Sequence, residues 1–286
     1  RVAGNAAPLG STNAAEEGAR ADMGRRTALI TGASMGLGLD YAHLCAADGM
    51  DVVLVARSKD KLDALGAALE AKYGIKAHVL PADLDLLGAG DEIATKVALL
   101  GLEIDVLINN AGFGNTGTFL DADLSRERSM LHVNIESLVV LTHHFAKAMV
   151  ARKRGKVLLI GSTAGFQAAP GMAVYCASKA FVISFGEALE YELRGTGVTV
   201  TTHCPGATAT EFANTAGNAD TALFKTKALV SSSRACAEDG YRAMNRGKGL
   251  SIHGFVNWLS AAMAQIAPRF VAIMIAATLV GFKRKT

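Results

Sequence analysis

Thr27-Ala28-Leu29-Ile30-Thr31-Gly32-Ala33-Ser34-Met35-Gly36-Leu37-Gly38 is the stretch that decides the fold. An apolar, β-branched run enters a turn holding Gly32, Gly36 and Gly38, and a helical pattern reaching about Asp48 starts inside that turn. A strand passing through such a turn into a helix gathers backbone N–H groups and the positive end of the helix dipole at one point. That arrangement suits the pyrophosphate of a dinucleotide. Gly32, Ser34, Met35, Gly36, Leu37 and Gly38 are therefore candidate cofactor ligands. A close-packed strand-to-helix turn without a ligand is the plain alternative.

Outward from this turn the same alternation repeats. Strand-like runs occupy 51–56, 76–80, 103–109, 156–161, 198–204 and 250–253. Helical patterns fall between them at Lys59–Tyr73, Asp91–Leu100, Ser125–Ala151 and Ala173–Arg194, with one more ending near Asn245. Short β-branched runs separated by helices predict a parallel sheet covered on both faces, hence a doubly wound Rossmann fold. The second strand ends Val55-Ala56-Arg57 with no carboxylate at its tip. An acidic side chain there would take a ribose 2′-hydroxyl. Arg57 instead suits a 2′-phosphate, which points to NADP(H). A solvated surface arginine is the alternative.

Composition fits a globular chain. Of the 286 residues, 50% are hydrophobic and 19% charged, which excludes disorder as the general state. The formal charge of +3 provides no broad field for nucleic acid. Cys45, Cys176, Cys204 and Cys236 form no C-x-x-C pair and read as buried free thiols of a reducing, cytoplasmic compartment. No histidine spacing argues for a metal.

Asn109-Asn110-Ala111-Gly112, Ser162, Tyr175-Cys176-Ala177-Ser178-Lys179 and Pro205-Gly206 follow the glycine turn in that order. Together these motifs resemble the short-chain dehydrogenase/reductase family of the Tyr-x-x-x-Lys type, over about residues 25–253. The resemblance implies a seven-stranded parallel sheet and hydride transfer between a nicotinamide and a carbonyl or alcohol. It also implies roles for single residues. Asp83, followed by Leu84, matches an adenine contact, and Asn110 matches a contact on the adenosine side. Thr208 would reach the nicotinamide carboxamide, and Lys179 the nicotinamide ribose. Asn134 would fix a helix distortion and pass protons toward Lys179.

The chemistry of the catalytic set, Asn134, Ser162, Tyr175 and Lys179, can be stated independently. Tyr175 and Lys179 are four residues apart and share a helix face. A free phenol near pKa 10 is a poor proton donor and acceptor at neutrality, and a nearby ammonium stabilises the phenolate. Tyr175 then protonates the carbonyl oxygen while Ser162 holds it. The alternative from a different class is a cofactor-binding regulatory or structural protein without turnover. Relatives of that kind usually lack the Tyr or the Lys.

Three domains of sequence are expected: a disordered, cloning-derived or targeting extension over 1–22, a catalytic domain over 23–254 and a hydrophobic helical extension over 255–286. Thr208–Val230, with Phe212, Leu223 and Phe224, is expected to be a lid over an apolar substrate. The run from Cys204 to Phe212, with Val55-Ala56-Arg57 and the hydrophobic carboxyl end, is similar to one bacterial branch of the family. That branch includes relatives acting on long acyl or steroid-like ketones, and commonly has Pro and Arg where Ala207 and Ala209 stand. In the extension, Phe255, Leu259, Ala262, Met263 and Ile266 recur at helical spacing. Phe270–Phe282 is free of charge and is followed by Lys283-Arg284-Lys285. Each half falls short of the roughly 20 residues that span a bilayer. A dimer contact, a substrate mouth, peripheral membrane attachment and packing on the protein's own core are the readings left open. The family resemblance implies a homodimer or homotetramer through the helices at Ser125–Ala151 and Ala173–Arg194.

Overall fold

The structure is a computed structural model, and it describes residues 24–209 and 230–282. Most of the lid expected over Thr208–Val230, namely 210–229, lies outside the described residues, as do the amino-terminal extension and residues 283–286. Seven parallel strands form the main sheet: β1 (Thr27–Thr31), β2 (Asp51–Ala56), β3 (Ala77–Pro81), β4 (Val106–Asn109), β5 (Gly155–Ile160), β6 (Val198–Cys204) and β7 (Leu250–Ile252). Their order is β3-β2-β1-β4-β5-β6-β7. β1 pairs with β2 from Thr27↔Asp51 and with β4 from Ala28↔Val106, so the winding reverses between β1 and β4. In a doubly wound sheet the crevice beyond the carboxyl ends at that reversal is where ligands bind.

The central strands β1 and β2 are buried on both faces, which explains their largely apolar runs. Alternate residues point to opposite layers. Ala28 and Ile30 join the core under α1 (Gly36–Ala47), α2 (Lys59–Tyr73) and α7 (Ser233–Asn245). Leu29 and Leu107 join the core under α3 (Ala89–Leu99), α5 (Ser137–Ala151) and α6 (Ala173–Glu192). Thr208–Ala209 and Ser231–Ser232 form a separate short parallel ladder.

The long helix expected over Ser125–Ala151 is divided at Asn134, where the resemblance implied a distortion. Helix α4 runs over Leu124–Leu131, a π turn occupies His132–Glu136, and α5 follows. Asn134 sits in that turn with its side chain bonded away from its own helix. β4 begins later than the sequence pattern suggests. Asp105 precedes it and accepts the N–H of Thr27 at 3.0 Å through its carboxylate. Beyond β7 the chain forms α8 (Phe255–Ile266) and α9 (Arg269–Val280), separated by Ala267-Pro268.

Candidate active site

At the end of β1 the turn is held by its bare glycines. Gly32 and Gly36 have φ of +66° and +55°, where a side chain is strained. A Cβ on Gly38 would lie 2.1 Å from the carbonyl oxygen of Gly32 and 2.6 Å from Asn110 Nδ2. Gly38 therefore packs the first turn of α1 against the loop itself. Thr31 ties this loop to the end of β4. Its Oγ1 accepts from the N–H groups of Asn110 and Ala111 at 3.0 Å each. The side chain of Asn110 donates back to Thr31 O at 2.9 Å. Asn110 is thus first a structural clamp between two strand ends. Thr31 escaped the sequence reading because a threonine ending a strand carries no distinguishing pattern.

The catalytic end is assembled from β5, the π turn and α6. Ser162 follows β5 and accepts from the N–H of Ala164 at 3.1 Å, capping a short 3₁₀ turn. Its hydroxyl also hydrogen-bonds Tyr175. Burial pushes the Tyr175 phenol above its ordinary pKa, and the Ser162 bond opposes that shift. Lys179 donates to Ile160 O at 2.9 Å, and its Nζ stands 6.0 Å from the centre of the Tyr175 ring. The Lys179 ammonium at this separation does not outweigh the burial of the phenol, so the net lowering expected from the sequence is not found. Burial instead brings Lys179 itself down from 10.5 to about 8.

Asn134 is buried and bonds to three groups. It donates to Phe113 O and to Ser178 Oγ, both at 3.0 Å, and accepts from the N–H of Phe113 at 3.1 Å. The π turn frees this amide to clamp the loop after β4. A Cβ on Gly112 would stand 3.0 Å from Asn134 Oδ1 and 3.4 Å from Lys179 Nζ, so glycine keeps open the gap between the two polar groups. Ser178, which in turn donates to Tyr175 O at 2.7 Å, was missed by the sequence reading. Its position inside the Tyr-x-x-x-Lys run was its only signal.

These groups open on one cleft of about 830 Å³. Gly32, Ser34, Met35, Gly36 and Leu37 line one end, together with the exposed Arg57, Asp83, Leu84 and Asn110. Ser162, Tyr175, Lys179 and Thr208 line the other. Of the sequence-predicted residues, Gly38 and Asn134 stand behind the wall, where they fix it. Asp83 accepts the N–H of Asp85 at 3.2 Å, and Thr208 Oγ1 donates to Gly206 O at 3.1 Å. The roof comes from the carboxyl end, for which a substrate mouth was one of the readings left open by the sequence. Val256, Asn257 and Ser260 of α8 line the cleft, as do Ala276, Leu279 and Val280 of α9. Ala276 packs in the same buried cluster as Tyr175, Cys176 and Met172.

The cradle fits a nicotinamide dinucleotide. Bare glycines leave room at the amino end of α1, and an arginine rather than a carboxylate stands beyond β2. The fold and the Ser–Tyr–Lys centre together define a doubly wound, dinucleotide-binding protein of oxidoreductase type. Residues 26–221 match the sequence model of the short chain dehydrogenase family. The chain belongs to that family. It is 36% identical over 190 residues to a very-long-chain 3-oxoacyl-CoA reductase of Homo sapiens, a match covering 65% of this chain and 60% of the relative. The chain thus matches less than two thirds of the length of that curated relative. Among solved structures it resembles a 7β-hydroxysteroid dehydrogenase (TM-score 0.79, 26% identity, 88% of this chain and 96% of the other). It also resembles a short-chain dehydrogenase from Sphingobium yanoikuyae in complex with NADPH (TM-score 0.74, 32% identity, 84% and 94%).

Proposed function

We propose that the protein is an NADP(H)-dependent oxidoreductase interconverting an apolar, lipid- or steroid-like ketone and its secondary alcohol. The observation that carries this is the junction of Ser162, Tyr175 and Lys179 with a roof that brings Val256, Ala276, Leu279 and Val280 over the same cleft. A relative named as a reductase of very-long-chain 3-oxoacyl-CoA and a neighbour named as a hydroxysteroid dehydrogenase support the substrate class.

A bound nicotinamide supplies the hydride. Ser162 hydrogen-bonds the substrate oxygen and sets the carbonyl beside Tyr175. The raised pKa of Tyr175 keeps its proton in place until negative charge grows on that oxygen, and the phenol then releases it. Ser162 holds the developing alkoxide. Lys179, as an ammonium, limits the cost of the phenolate left behind. Asn134 fixes the loop at Gly112, and through the gap there protons return toward Lys179. At the other end Arg57 pairs with the 2′-phosphate, and Asp83 and Asn110 lie toward the adenosine. Thr208 lies toward the carboxamide.

A homodimer or homotetramer is part of the same proposal. Phe181 and Tyr191 remain exposed on α6, a helix through which the subunits would meet. Among the described residues all four cysteines are free and buried, in keeping with a reducing, cytoplasmic compartment. No helix of the described residues is long and apolar enough to cross a membrane. Peripheral contact through the carboxyl-terminal helices accords with a lipid-like substrate.

Replacing Tyr175 with Phe tests the catalytic assignment. Turnover of a hydrophobic ketone should fall about 10²–10⁴-fold while NADPH binding persists. Retained turnover would remove Tyr175 from the chemistry. Titrating NADPH against NADH with Arg57→Ala tests the cofactor. NADPH should weaken about 10–100-fold and NADH little, since one charge-assisted contact is lost. Equal losses would show that Arg57 is no phosphate ligand.

A further inference from the structure

Helices α8 and α9 invert the usual plan of a surface helix. Their buried residues are alanines: Ala261 on α8, and Ala272 and Ala276 on α9. Their large apolar residues face out. Phe255 is 74% exposed, Ile266 80%, Phe270 67% and Met274 61%, and Trp258, Met263 and Ile275 are also exposed. Two successive helices share this inversion, and large apolar side chains left exposed in such number mark an interaction surface.

The charged residues that the sequence holds in and after these helices are all of one sign. From Phe255 to the last residue the sequence holds Arg269, Lys283, Arg284 and Lys285 and no Asp or Glu. An interface between two copies would set like against like, because a two-fold contact pairs the same patch with itself. Neither helix carries a carboxylate to answer Arg269. A lipid surface with anionic headgroups matches both properties, apolar side chains entering the acyl boundary and cations meeting the phosphates. Each helix holds 12 residues, about 18 Å of rise, so each lies along such a surface rather than crossing it. The face also continues into the cleft. Val256 and Leu279 are exposed to solvent and at the same time line it.

We propose that α8 and α9 form a docking face for a bilayer carrying anionic headgroups, and that the apolar ketone enters the cleft from that bilayer past Val256 and Leu279. The delivery half rests on the ketone-reducing function proposed above, and the docking half stands without it.

Trp258 is the only tryptophan of the chain and lies on α8, so its emission reports docking independently of turnover. The full chain is titrated with vesicles of phosphatidylcholine alone and of phosphatidylcholine with phosphatidylserine. The mixed vesicles should shift the emission to the blue and shield it from an aqueous quencher, and high salt should weaken both effects. The triple variant Ile266→Glu, Phe270→Glu, Met274→Glu should partition at least roughly tenfold less. None of its three sites lines the cleft. Reduction of a short, water-soluble ketone should therefore be unchanged, while reduction of a long-chain ketone presented in vesicles falls with the partitioning.

An unshifted Trp258 with the mixed vesicles overturns the proposal, as does a triple variant that docks like the parent. A shift equal for both vesicle types and indifferent to salt overturns the anionic partner. An unshifted Trp258 with a doubled mass in vesicle-free buffer, abolished by the triple variant, assigns the face to a second copy instead. Normal docking with no reduction of any ketone breaks the catalytic function and the delivery route and leaves the docking face standing.

Discussion

Helices α6 and α9 both line the cleft, yet they use their side chains in opposite ways. α6 buries Tyr175, Cys176, Ser178, Lys179 and Val182 and ties the polar ones into hydrogen bonds with neighbouring elements. α9 buries Ala272 and Ala276 and turns Phe270, Met274 and Ile275 outward. A wall built from buried polar contacts has one favourable arrangement, because each unmade bond costs the desolvation of its partner. A roof resting on methyl groups is held by small, non-directional contacts that tolerate displacement. Position and chemistry therefore reside on the sheet side, while adaptability to different apolar substrates resides in the roof.

This contrast can be broken or sharpened by substitution. The largest effect is expected on the sheet side at Gly38→Ala. Its Cβ would meet backbone at 2.1 Å, so the loop must move. A stability loss of about 3 kcal/mol or more is expected, with loss of NADPH binding. Thermal unfolding and a cofactor titration check this, and a melting temperature matching the parent's would show that the turn is not rigid.

A smaller effect of opposite sign is expected at Lys179→Met. Burial lowers this pKa from 10.5 to about 8, so the unfolded chain binds more protons than the folded one between those values. Stability should rise with pH across that interval, and below it the buried charge carries its full cost. Lys179→Met removes that cost and should gain about 1–3 kcal/mol near neutrality while turnover collapses, with the gain vanishing above the interval. Denaturant melts at several pH values measure it. In the parent enzyme, ketone reduction should decline above about pH 8 as the ammonium is lost.

The smallest effect belongs to the roof. Ala276→Leu overfills the contact with the Tyr175 cluster, and the roof should shift by enough to absorb most of the added volume. About 1 kcal/mol of stability loss is expected, at the lower end of the usual range for an overpacked core. KM for a bulky ketone should change and NADPH affinity should not. A cost as large as that of Gly38→Ala would mean that the two walls are equally fixed.

Much of the sheet side was legible in the sequence. β1 and β2 fall where their largely apolar runs stand, because strands buried on both faces favour apolar side chains; β6 was legible from its β-branched Val198-Thr199-Val200-Thr201-Thr202 run. The glycine turn and the Tyr175–Lys179 pair were visible because their spacing is itself the chemistry. The π turn was not visible in the apolar periodicity, which continues on both sides of Asn134; only the family resemblance pointed to a helix distortion there. The clamp of Thr31 on Asn110 and Ala111 was hidden because it joins residues nearly 80 positions apart. The roof was half legible. Periodicity identified the stripe of Phe255, Leu259, Met263 and Ile266, but not which way it faces. The structure exposes all four, so the carboxyl-terminal helices do not simply pack that stripe on the protein's own core.

The four cysteines are distributed across this architecture, Cys45 on α1, Cys176 on α6, Cys204 at the end of β6 and Cys236 on α7. Burial pushes their thiols up to about 12 for Cys45, Cys204 and Cys236 and about 11 for Cys176. Thiolate is the reactive form, so the folded chain is nearly inert to alkylating reagents at neutral pH. Each sulfur becomes a timer that starts only when its own element opens, and the order in which the four are labelled traces the sequence in which the molecule comes apart.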